Sequence, residues 1–335
     1  RLKLRLIEMA ASTVKLVVII VLWYVLNVQY NLYNKKILDK FPYPYTTSLI
    51  QLGSGIFYVL PIWTLGIGGR KFPRGFSLSK VATLSAFHGG GHYATVLSLG
   101  AGSVAFANVV KAGEPLCSVI MGIIIMSVFP STSQVLTLIP IVAGVMIASM
   151  AEPEFSTMAF VCAMLSNVLF ATRGVLSKPL MKTISGSDLF AINTFIAFII
   201  MAPVTFALEG AIIVKAWNEF ASGTADNGLQ DLLNGVLPSK PSFEYFCAYQ
   251  LVCGLYYYTY NEMAFMVTDL LDPTSQSVAN TVKRVVIIIA GSVVFNKPLT
   301  QNGIIGSAVA MLGVLLYSLA PKATPAAAPV KAKAQ

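Results

Sequence analysis

Charged residues are scarce in this chain of 335 residues. Asp, Glu, Lys and Arg together make up 11% of the sequence, against about 25% in a typical soluble domain. Hydrophobic residues make up 56%, and the mean hydropathy is +0.73. This composition excludes an ordinary soluble protein and predicts an integral membrane protein.

Cysteine and histidine are also scarce, with four and two residues. The cysteines lie in apolar segments without CxxC spacing, so we interpret them as small core residues: Cys117, Cys162, Cys247 and Cys253. His88 and His92 in FHGGGHYAT have the four-residue spacing of some metal sites, but no HExxH glutamate or third ligand accompanies them. We therefore expect neither a metal nor another cofactor.

Acidic residues are outnumbered by Lys and Arg, 14 to 23, which gives a formal net charge of +9. The basic residues are dispersed between apolar runs, and they form no tract of the kind that follows a phosphate backbone. We therefore expect a lipid bilayer as the surrounding partner and exclude nucleic acid.

Long apolar runs fill most of the chain. A spanning helix needs about 20 mostly apolar residues, and Pro- and Gly-containing breaks separate ten such runs. The polar connection 214–241 should lie outside the bilayer, and the Pro/Ala/Lys-rich segment 321–335 should be a disordered tail. The predicted spans are 15–34, 44–67, 79–100, 103–128, 133–150, 155–177, 188–209, 243–266, 273–296 and 300–320.

The two halves of the chain repeat weakly. Five spans in each half would place the second half upside down in the membrane, as in alternating-access transporters. We predict an all-α membrane protein with ten transmembrane helices as two inverted five-helix repeats, residues 1–150 and 151–320. Chance similarity between apolar segments is the alternative. The similar pairs are SVIMGIIIMSVFPSTS (118–133) with RVVIIIAGSVVFNKPLT (284–300), AGVMIASM (143–150) with LGVLLYSL (312–319), and NLYNKKIL (31–38) with RGVLSKPL (173–180).

Loop charges predict the orientation through the positive-inside rule. Thirteen Lys and Arg residues, among them Arg70 and Lys178, fall on the side of the amino terminus, and six, among them Lys36 and Lys40, fall on the other side. Both termini should therefore face the compartment from which the protein is inserted. Four cations remain inside the predicted spans: Lys111, Arg173, Lys283 and Arg284.

Cations inside a bilayer need an explanation, because each costs about 2.5–3.5 kcal/mol near the centre. They must face water, pair with acids or meet an anionic ligand. Glu114 and Glu262 are the candidate acids at this depth, which leaves an excess of two positive charges. A phosphate group carries about that charge near neutral pH. Lys283 as a point charge and Arg284 as a planar fork are suited to grip it.

Each cation also has a structural alternative. The adjacent Lys283–Arg284 pair could lie near a helix end and reach the headgroups. Lys111 could form an i, i+3 ion pair with Glu114. The Arg173 side chain could be satisfied by carbonyl oxygens or by an acid of a neighbouring helix. In the repeat alignment, however, it takes the position of an asparagine in the first half, and this asymmetry fits a substrate site better.

Other polar groups offer weaker signals. By default His92 is a core histidine bonded to a neighbour, with a donor to substrate as the alternative. Thr95, three residues later, should share its helix face. In YYYTYNE (256–262) most tyrosines should be packing aromatics, but Tyr260 could donate to a ligand oxygen.

The sequence around these residues resembles the plastid phosphate translocators of the drug/metabolite transporter superfamily. The similarity runs over nearly all ten spans. Its motifs are WYVLNVQYNLYNKKILDKFPYPY (23–45), HGGGHYATVLSLGAGSVAFANVVKAGEP (88–115), and SQSVANTVKRVVIIIAGSVVF with NKPLTQNGI (275–304).

This resemblance implies a plastid inner-envelope antiporter that exchanges inorganic phosphate for phosphorylated sugars or acids by alternating access. The similarity to its triose-phosphate members favours phosphorylated C3 metabolites as the organic substrate. Both termini would face the stroma, and a single chain would be the transport unit. Triose-phosphate members are the most similar. The resemblance implies phosphate binding by Lys111, Lys283 and Arg284, and binding of the organic part by His92, Thr95, Arg173 and Tyr260.

Several other functions compete with this interpretation. A translocator of the same family could prefer phosphoenolpyruvate or sugar phosphates, and a nucleotide-sugar antiporter could reuse the cations in a longer cavity. An anion channel would need no occlusion. A membrane enzyme acting on lipid phosphates is disfavoured, because the sequence lacks an acid cluster for Mg²⁺ and a nucleophile beside a base.

Overall fold

The computed structural model describes residues 2–153, 155–223, 228–271 and 273–321, with the backbone alone at 2–13, 15, 268–269 and 273–277. Residues 322–335 of the predicted tail lie outside this part. Thirteen α-helices follow one another in the described residues: α1 (Leu2–Lys40), α2 (Pro44–Leu65), α3 (Leu78–Ala101), α4 (Val104–Lys111), α5 (Glu114–Met126), α6 (Thr132–Met150), α7 (Thr157–Leu180), α8 (Gly186–Leu208), α9 (Gly210–Phe220), α10 (Gly228–Leu233), α11 (Phe243–Leu270), α12 (Pro273–Val294) and α13 (Gln301–Leu319).

These helices confirm the all-α prediction for the described chain. Within the residues that the structure describes, seven stretches are long and apolar enough to cross a membrane: Leu16–Lys40, Pro44–Leu65, Val104–Met126, Thr132–Met150, Thr157–Leu180, Gly186–Leu208 and Gln301–Leu319. Helices α3, α11 and α12 also coincide with predicted spans but are not among the seven. They hold the HGGGHY, YYYTYNE and TVKR motifs, whose polar residues lower the hydropathy of these helices.

The predicted span 103–128 is confirmed as the stretch Val104–Met126, but a break divides it into two helices. Helix α4 ends at Lys111 and α5 begins at Glu114. Pro115 lacks the N–H that would bond the Lys111 carbonyl, and its ring clashes with that carbonyl in a continuous helix. The Val110 carbonyl at the break instead accepts from Asn167 Nδ2 at 3.0 Å. Lys111 therefore lies at a helix end in the middle of the span.

The described residues of the connection 214–241 include helical segments and a loop that packs against α1 and α11. The connection contains the end of α9, all of α10 and a strap, which we define as residues 232–237. Backbone carbonyls of the strap accept from α1 through Tyr33, Lys36 and Lys40. They also accept from α11 through Tyr245 and Tyr249. Side chains of two helices therefore bind one loop, and the two lysines are not free loop charges.

The helix ends lie in two groups. At the first end, which includes the connections α2–α3 and α7–α8, Trp63 Nε1 donates to Asp188 at 3.1 Å. At the second end, which includes α1–α2 and α8–α9, the Glu209 carboxylate accepts from the backbone N–H groups of Tyr45 at 3.1 Å and Thr46 at 2.7 Å. These N–H groups belong to the first turn of α2, where a carboxylate is favoured.

Small residues allow α6 and α13 to pack closely. A Cβ on Gly144 of α6 would lie 2.3 Å from the Ala310 nitrogen of α13, and one on Gly306 would lie 2.4 Å from the Ala148 nitrogen. The backbones thus touch at Gly-xxx-Ala pairs on both helices, the small-residue packing typical of membrane helices. This seam joins α6 to α13.

Candidate substrate cavity

A cavity of about 380 Å³ lies between α1, α3, α4, α7, α11 and α12. It reaches Lys178 and Met181 near the end of α7, and because Lys178 is exposed, the cavity communicates with the first end. Leu99, Ala107 and Ile287 form its opposite wall and belong to a buried apolar cluster. The basic residues that line it are Lys111, Arg173, Lys178, Lys283 and Arg284, and the lining carboxylate is Glu114.

Arg284 is the lining cation with a carboxylate partner in the described chain. Its Nη2 lies 2.6 Å from Glu114 Oε2, and the two side chains are 12% and 39% exposed. The predicted alternative of an ion pair between Glu114 and Lys111 is therefore wrong, because the glutamate turns towards α12. The break between α4 and α5 places Glu114 on the cavity wall, where α12 is within its reach.

Lys111 is held by a hydroxyl and an aromatic ring. Its Nζ donates to Thr95 Oγ1 at 3.0 Å and lies 5.2 Å from the centre of the Phe170 ring. The Thr95 hydroxyl also contacts Ser166 Oγ at 2.7 Å and donates to the Gly91 carbonyl. Lys111 is therefore oriented by groups that leave its charge without a counter-ion.

Lys283 faces the cavity from α12 rather than extending to the headgroups. Its Nζ lies 4.6 Å from the centre of the Trp23 ring, a cation–π contact that attracts the ammonium group but does not neutralise it. Trp23 is 1% exposed. The alternative in which Lys283 and Arg284 reach the membrane surface does not fit this arrangement, since both line the cavity.

Arg173 binds a histidine in place of the acid or carbonyl oxygens considered above. Its Nη1 lies 3.0 Å from His88 Nδ1, and His88 Nε2 lies 3.0 Å from the Tyr257 hydroxyl. The guanidinium carbon stands 4.8 Å from the Phe170 ring centre and 5.8 Å from that of Phe265. Two rings and one imidazole thus fix its position at the cavity wall.

His92 is the predicted site residue that does not line the cavity. It is 1% exposed and packs with its ring centre 4.0 Å from that of Tyr257. Its Nε2 has no hydrogen-bond partner within the described part of the chain. Tyr260, in contrast, lines the cavity and packs against Tyr30. The six other predicted residues all lie on the cavity wall.

Five asparagines line the cavity, and none of them was predicted as a site residue: Asn27, Asn31, Asn108, Asn261 and Asn280. Asn31 Nδ2 donates to the backbone carbonyl of Asn27 at 2.8 Å and to its side-chain oxygen at 3.0 Å. Asn108 Nδ2 donates to the Val104 carbonyl at 2.9 Å. The unused amide groups, the nitrogen of Asn27 and the oxygen of Asn108, belong to residues that line the cavity. Asparagines at i, i+4 inside an apolar run were the available signal.

Glu262 belongs to a different cluster, so its assignment as a counter-charge of the inner cations is wrong. It is fully buried and lies 2.6 Å from Arg70 Nη1, while Arg70 Nη2 lies 3.0 Å from Asp188. Burial lowers the pKa of Arg70, but hydrogen bonds and charge attraction from Glu262 and Asp188 outweigh this and raise it. Arg70 is therefore not a free loop charge, and its guanidinium stays ionised.

The cavity consequently has more positive charge than expected. With Glu262 paired elsewhere, Glu114 faces the four inner cations, which leaves three positive charges among the inner residues instead of two, and the exposed Lys178 adds another at the open end. No group of three His, Cys, Asp or Glu that could hold a metal ion occurs in the residues that the structure describes. An apolar helical scaffold around a cationic, water-accessible cavity is typical of a membrane transporter for anions.

Comparison with known proteins identifies the family: the chain belongs to the Triose-phosphate Transporter family, whose profile matches residues 14–318. It is 34% identical to phosphoenolpyruvate/phosphate translocator 2, chloroplastic, of Arabidopsis thaliana, over 90% of this chain and 75% of that protein. It is 34% identical to the chloroplastic triose phosphate/phosphate translocator of Zea mays, over 89% and 69%. It is 32% identical to glucose-6-phosphate/phosphate translocator 1, chloroplastic, of Arabidopsis thaliana, over 93% and 76%.

A solved crystal structure shares the fold. It superimposes with a TM-score of 0.50 at 13% sequence identity and covers 92% of this chain and 98% of that chain. Sequence identity this low relates the folds alone, so the cargo must be argued from the cavity.

Proposed function

We propose that the protein exchanges inorganic phosphate for phosphorylated C3 compounds, triose phosphate and 3-phosphoglycerate, in obligatory one-for-one counter-transport. The observation that carries the proposal is the uncompensated charge of Lys111, Arg173 and Lys283 in the cavity. In the described chain no carboxylate lies within ion-pair distance of these three side chains. A bound anion is the missing counter-charge.

The number of charges favours a particular cargo. A phosphate monoester carries about −1.5 to −2 near neutral pH, and a carboxylate adds one more negative charge. A phosphorylated C3 acid therefore matches the three positive charges more closely than phosphate or a triose phosphate does. Phosphate would lie between Lys111, Lys283 and Arg284, with the organic part towards Arg173 and Tyr260.

The same count leaves a second candidate within the family. Phosphoenolpyruvate also combines a phosphate with a carboxylate, and relatives named as phosphoenolpyruvate/phosphate translocators match nearly the whole chain. A nucleotide sugar is disfavoured, because a cavity of about 380 Å³ with apolar residues at its inner wall suits a smaller cargo. A hexose phosphate is disfavoured only by charge, because it lacks the carboxylate that the three positive charges favour.

Helix packing supports two inverted five-helix repeats. If α4 and α5 count as one span, the first half comprises α1–α6 and the second comprises α7, α8, α11, α12 and α13. When each helix is replaced by its counterpart in the other half, the packed pair α3–α7 corresponds to the packed pair α11–α1. In the same way, the pair α2–α11 corresponds to the pair α8–α3. Three further packed pairs each consist of two counterpart helices: α2–α8, α4–α12 and α6–α13. The proposed repeats are residues 1–150 and 151–320.

Polar contacts at the two ends of the molecule show the same correspondence between counterpart helices. Arg70 follows the second span and binds Asp188 in the first turn of the seventh. Glu209 follows the seventh span and binds the N–H groups of Tyr45 and Thr46 at the start of the second. Each contact joins α2 to α8, at opposite ends of the molecule. This reciprocity favours a common origin of the two halves.

The cavity is closed at the second end, and alternating access requires that one end be closed while the other is open. Leu38, Val96 and Val104 pack behind the inner wall of the cavity, and the strap joins α1 to α11 beyond them. To expose the cavity to the second side, these contacts must separate while the first end closes. Closure of the empty cavity would bury three positive charges, so only the loaded carrier should switch sides quickly.

The proposed location is the plastid inner envelope membrane, with both termini towards the stroma. It rests on the excess of basic loop residues on the side of the termini and on the chloroplastic relatives named above. The proposed transport unit is a single chain, because one chain contains the whole cavity.

Exchange in liposomes tests the proposal. Vesicles with purified protein are loaded with phosphate, dihydroxyacetone phosphate, 3-phosphoglycerate, phosphoenolpyruvate, glucose 6-phosphate or nothing, and uptake of labelled phosphate is measured. Uptake into vesicles loaded with phosphate or C3 phosphates, and not into empty ones, is the expected result. Equal uptake into empty vesicles would instead identify a channel or uniporter. Dominance of phosphoenolpyruvate among the loads would identify the second candidate.

A further inference from the structure

His88 lies outside the cavity and is not one of the charged residues counted there, yet it contacts Arg173, which lines the cavity. Its side chain is 1% exposed and does not line the cavity. It stands between the Tyr257 hydroxyl and the Arg173 guanidinium, 3.0 Å from each. We infer that His88 is a positioning residue that holds Arg173 in place for the organic part of the cargo, an inference that rests on the proposed function.

Donor and acceptor chemistry fixes the form of the imidazole. A guanidinium has only N–H donors, so His88 Nδ1 must be an unprotonated acceptor. The proton of the neutral ring is then on Nε2, which donates to the oxygen of Tyr257. One arginine therefore selects one tautomer, and the tyrosine holds the ring in the orientation that this tautomer needs.

Arg173 has little else to hold it in this orientation. The rings of Phe170 and Phe265 restrict its plane, but stacking alone allows the guanidinium to rotate and slide within that plane. The bond to His88 removes this freedom and directs the remaining N–H groups towards the cavity. Holding a binding group in place before the ligand arrives lowers the entropy cost of binding.

Loss of His88 should affect binding of the phosphate and binding of the organic part of the cargo differently. The proposed phosphate ligands Lys111, Lys283 and Arg284 make no described contact with His88, so loss of His88 should spare phosphate binding. Arg173 faces the organic part, so loss of His88 should weaken binding of a phosphorylated acid. A merely structural role would affect both substrates alike.

The test uses side chains that replace one ring nitrogen at a time. In His88→Asn the amide oxygen falls near the position of Nδ1 and can accept from Arg173, whereas in His88→Gln the terminal amide reaches the position of Nε2 and serves Tyr257. His88→Phe keeps a ring and provides neither group. Half-saturation concentrations and maximal rates are measured for phosphate–phosphate and phosphate–3-phosphoglycerate exchange, with Ser85→Ala, a buried substitution one turn earlier on α3, as control.

For His88→Phe and His88→Gln we expect about a 10-fold higher half-saturation concentration for 3-phosphoglycerate. Phosphate exchange should stay within about twofold of the unsubstituted protein, and His88→Asn should recover most of the loss. In an Arg173→Met background, His88→Phe should have no further effect, because non-additivity marks residues that act together.

Three results would overturn the inference while leaving the proposed function intact. These are an equal loss for both substrates, recovery by Gln rather than Asn, and additive effects of the His88 and Arg173 substitutions. Failure of the unsubstituted protein to exchange phosphate would instead overturn the proposed function. Melting curves of each variant separate a binding defect from a folding defect, and the comparison of Asn with Gln holds even if the Phe variant is unstable.

Discussion

Two clusters of charged residues inside the protein are built on opposite principles. Around Arg70, one guanidinium meets two carboxylates, Asp188 and Glu262, at 3.0 Å and 2.6 Å. In the cavity, four inner cations meet one carboxylate, Glu114. The first cluster has its counter-charges within the protein, and the second does not.

This difference indicates which cluster is structural and which awaits a ligand. A buried charge is stable only when it is paired and hydrogen-bonded, and the Arg70 cluster satisfies this within the protein, where it joins α2–α3 to α8 and α11. Under the proposed function, the cavity satisfies it when an anion is bound. Substitutions in the first cluster should therefore affect stability, and substitutions in the second should affect transport.

The largest effect is expected from Arg70→Met. Removal of the guanidinium leaves Glu262 fully buried without its counter-ion, so the free energy of unfolding should fall by about 3–5 kcal/mol. Denaturation in detergent measures this, with exposed Lys71→Met as the matched control. The double variant Arg70→Met/Glu262→Gln should recover much of the loss. An unchanged stability of Arg70→Met would contradict the pairing.

The reverse pattern is expected from Lys283→Met. Phosphate exchange should fall by about 100-fold or more, because the substitution removes one of three uncompensated charges and a direct ligand. The melting temperature without phosphate should be unchanged or higher, since no described acid loses a partner. Phosphate should raise the melting temperature of the unsubstituted protein and not that of the variant. A Lys283→Met variant that is destabilised but binds phosphate normally would contradict the prediction that Lys283 serves binding rather than stability.

Glu114→Gln removes the carboxylate that lines the cavity, and so increases the difference in charge balance between the cavity and the Arg70 cluster. Without this carboxylate, Arg284 is released to the cargo and the cavity gains one net positive charge. The half-saturation concentration for phosphate should fall by several-fold, and the maximal rate of exchange should also fall, because the loaded cavity keeps excess charge on closure. Kinetics of phosphate–phosphate exchange measure both quantities. A higher half-saturation concentration would mean that Glu114 orients Arg284 rather than competing with the cargo.

The smallest effect should occur where no charge is buried. Tyr33→Phe removes a hydroxyl that donates to two strap carbonyls, which should cost about 1 kcal/mol of stability. Thermal melting measures this loss, and Tyr43→Phe, a tyrosine without a described side-chain hydrogen bond, is its control. A loss as large as that of Arg70→Met would show that the strap contributes more than neutral hydrogen bonds explain.

The apolar helices were predictable because hydropathy is additive along the chain. A run of about 20 apolar residues forms a helix in a bilayer whatever its neighbours are, since each backbone N–H and C=O must be bonded within the segment. The span at 44–67 and helix α2 agree almost residue by residue. The break at Lys111 was also present in the sequence as Pro115, but its position within an apolar run concealed it.

Pairing of charges was less predictable, because it depends on which helices pack together. Glu114 lies three residues from Lys111 yet bonds Arg284, 170 residues away. Glu262 lies close to Tyr260 in sequence but faces the opposite side of α11, towards Arg70. His88 and His92 share a helix face, but only His88 meets the Arg173 side chain.

The sequence by itself determined the class of protein, the apolar helices, the family and the inner cations, because composition, periodicity and motifs are local properties. The tertiary structure decided which cations keep a counter-ion, which histidine supports an arginine and where the 214–241 connection packs. These depend on distances of a few ångströms between segments far apart in the chain. Electrostatic and hydrogen-bond energies change steeply over such distances, so the spacing of residues along the chain cannot determine them.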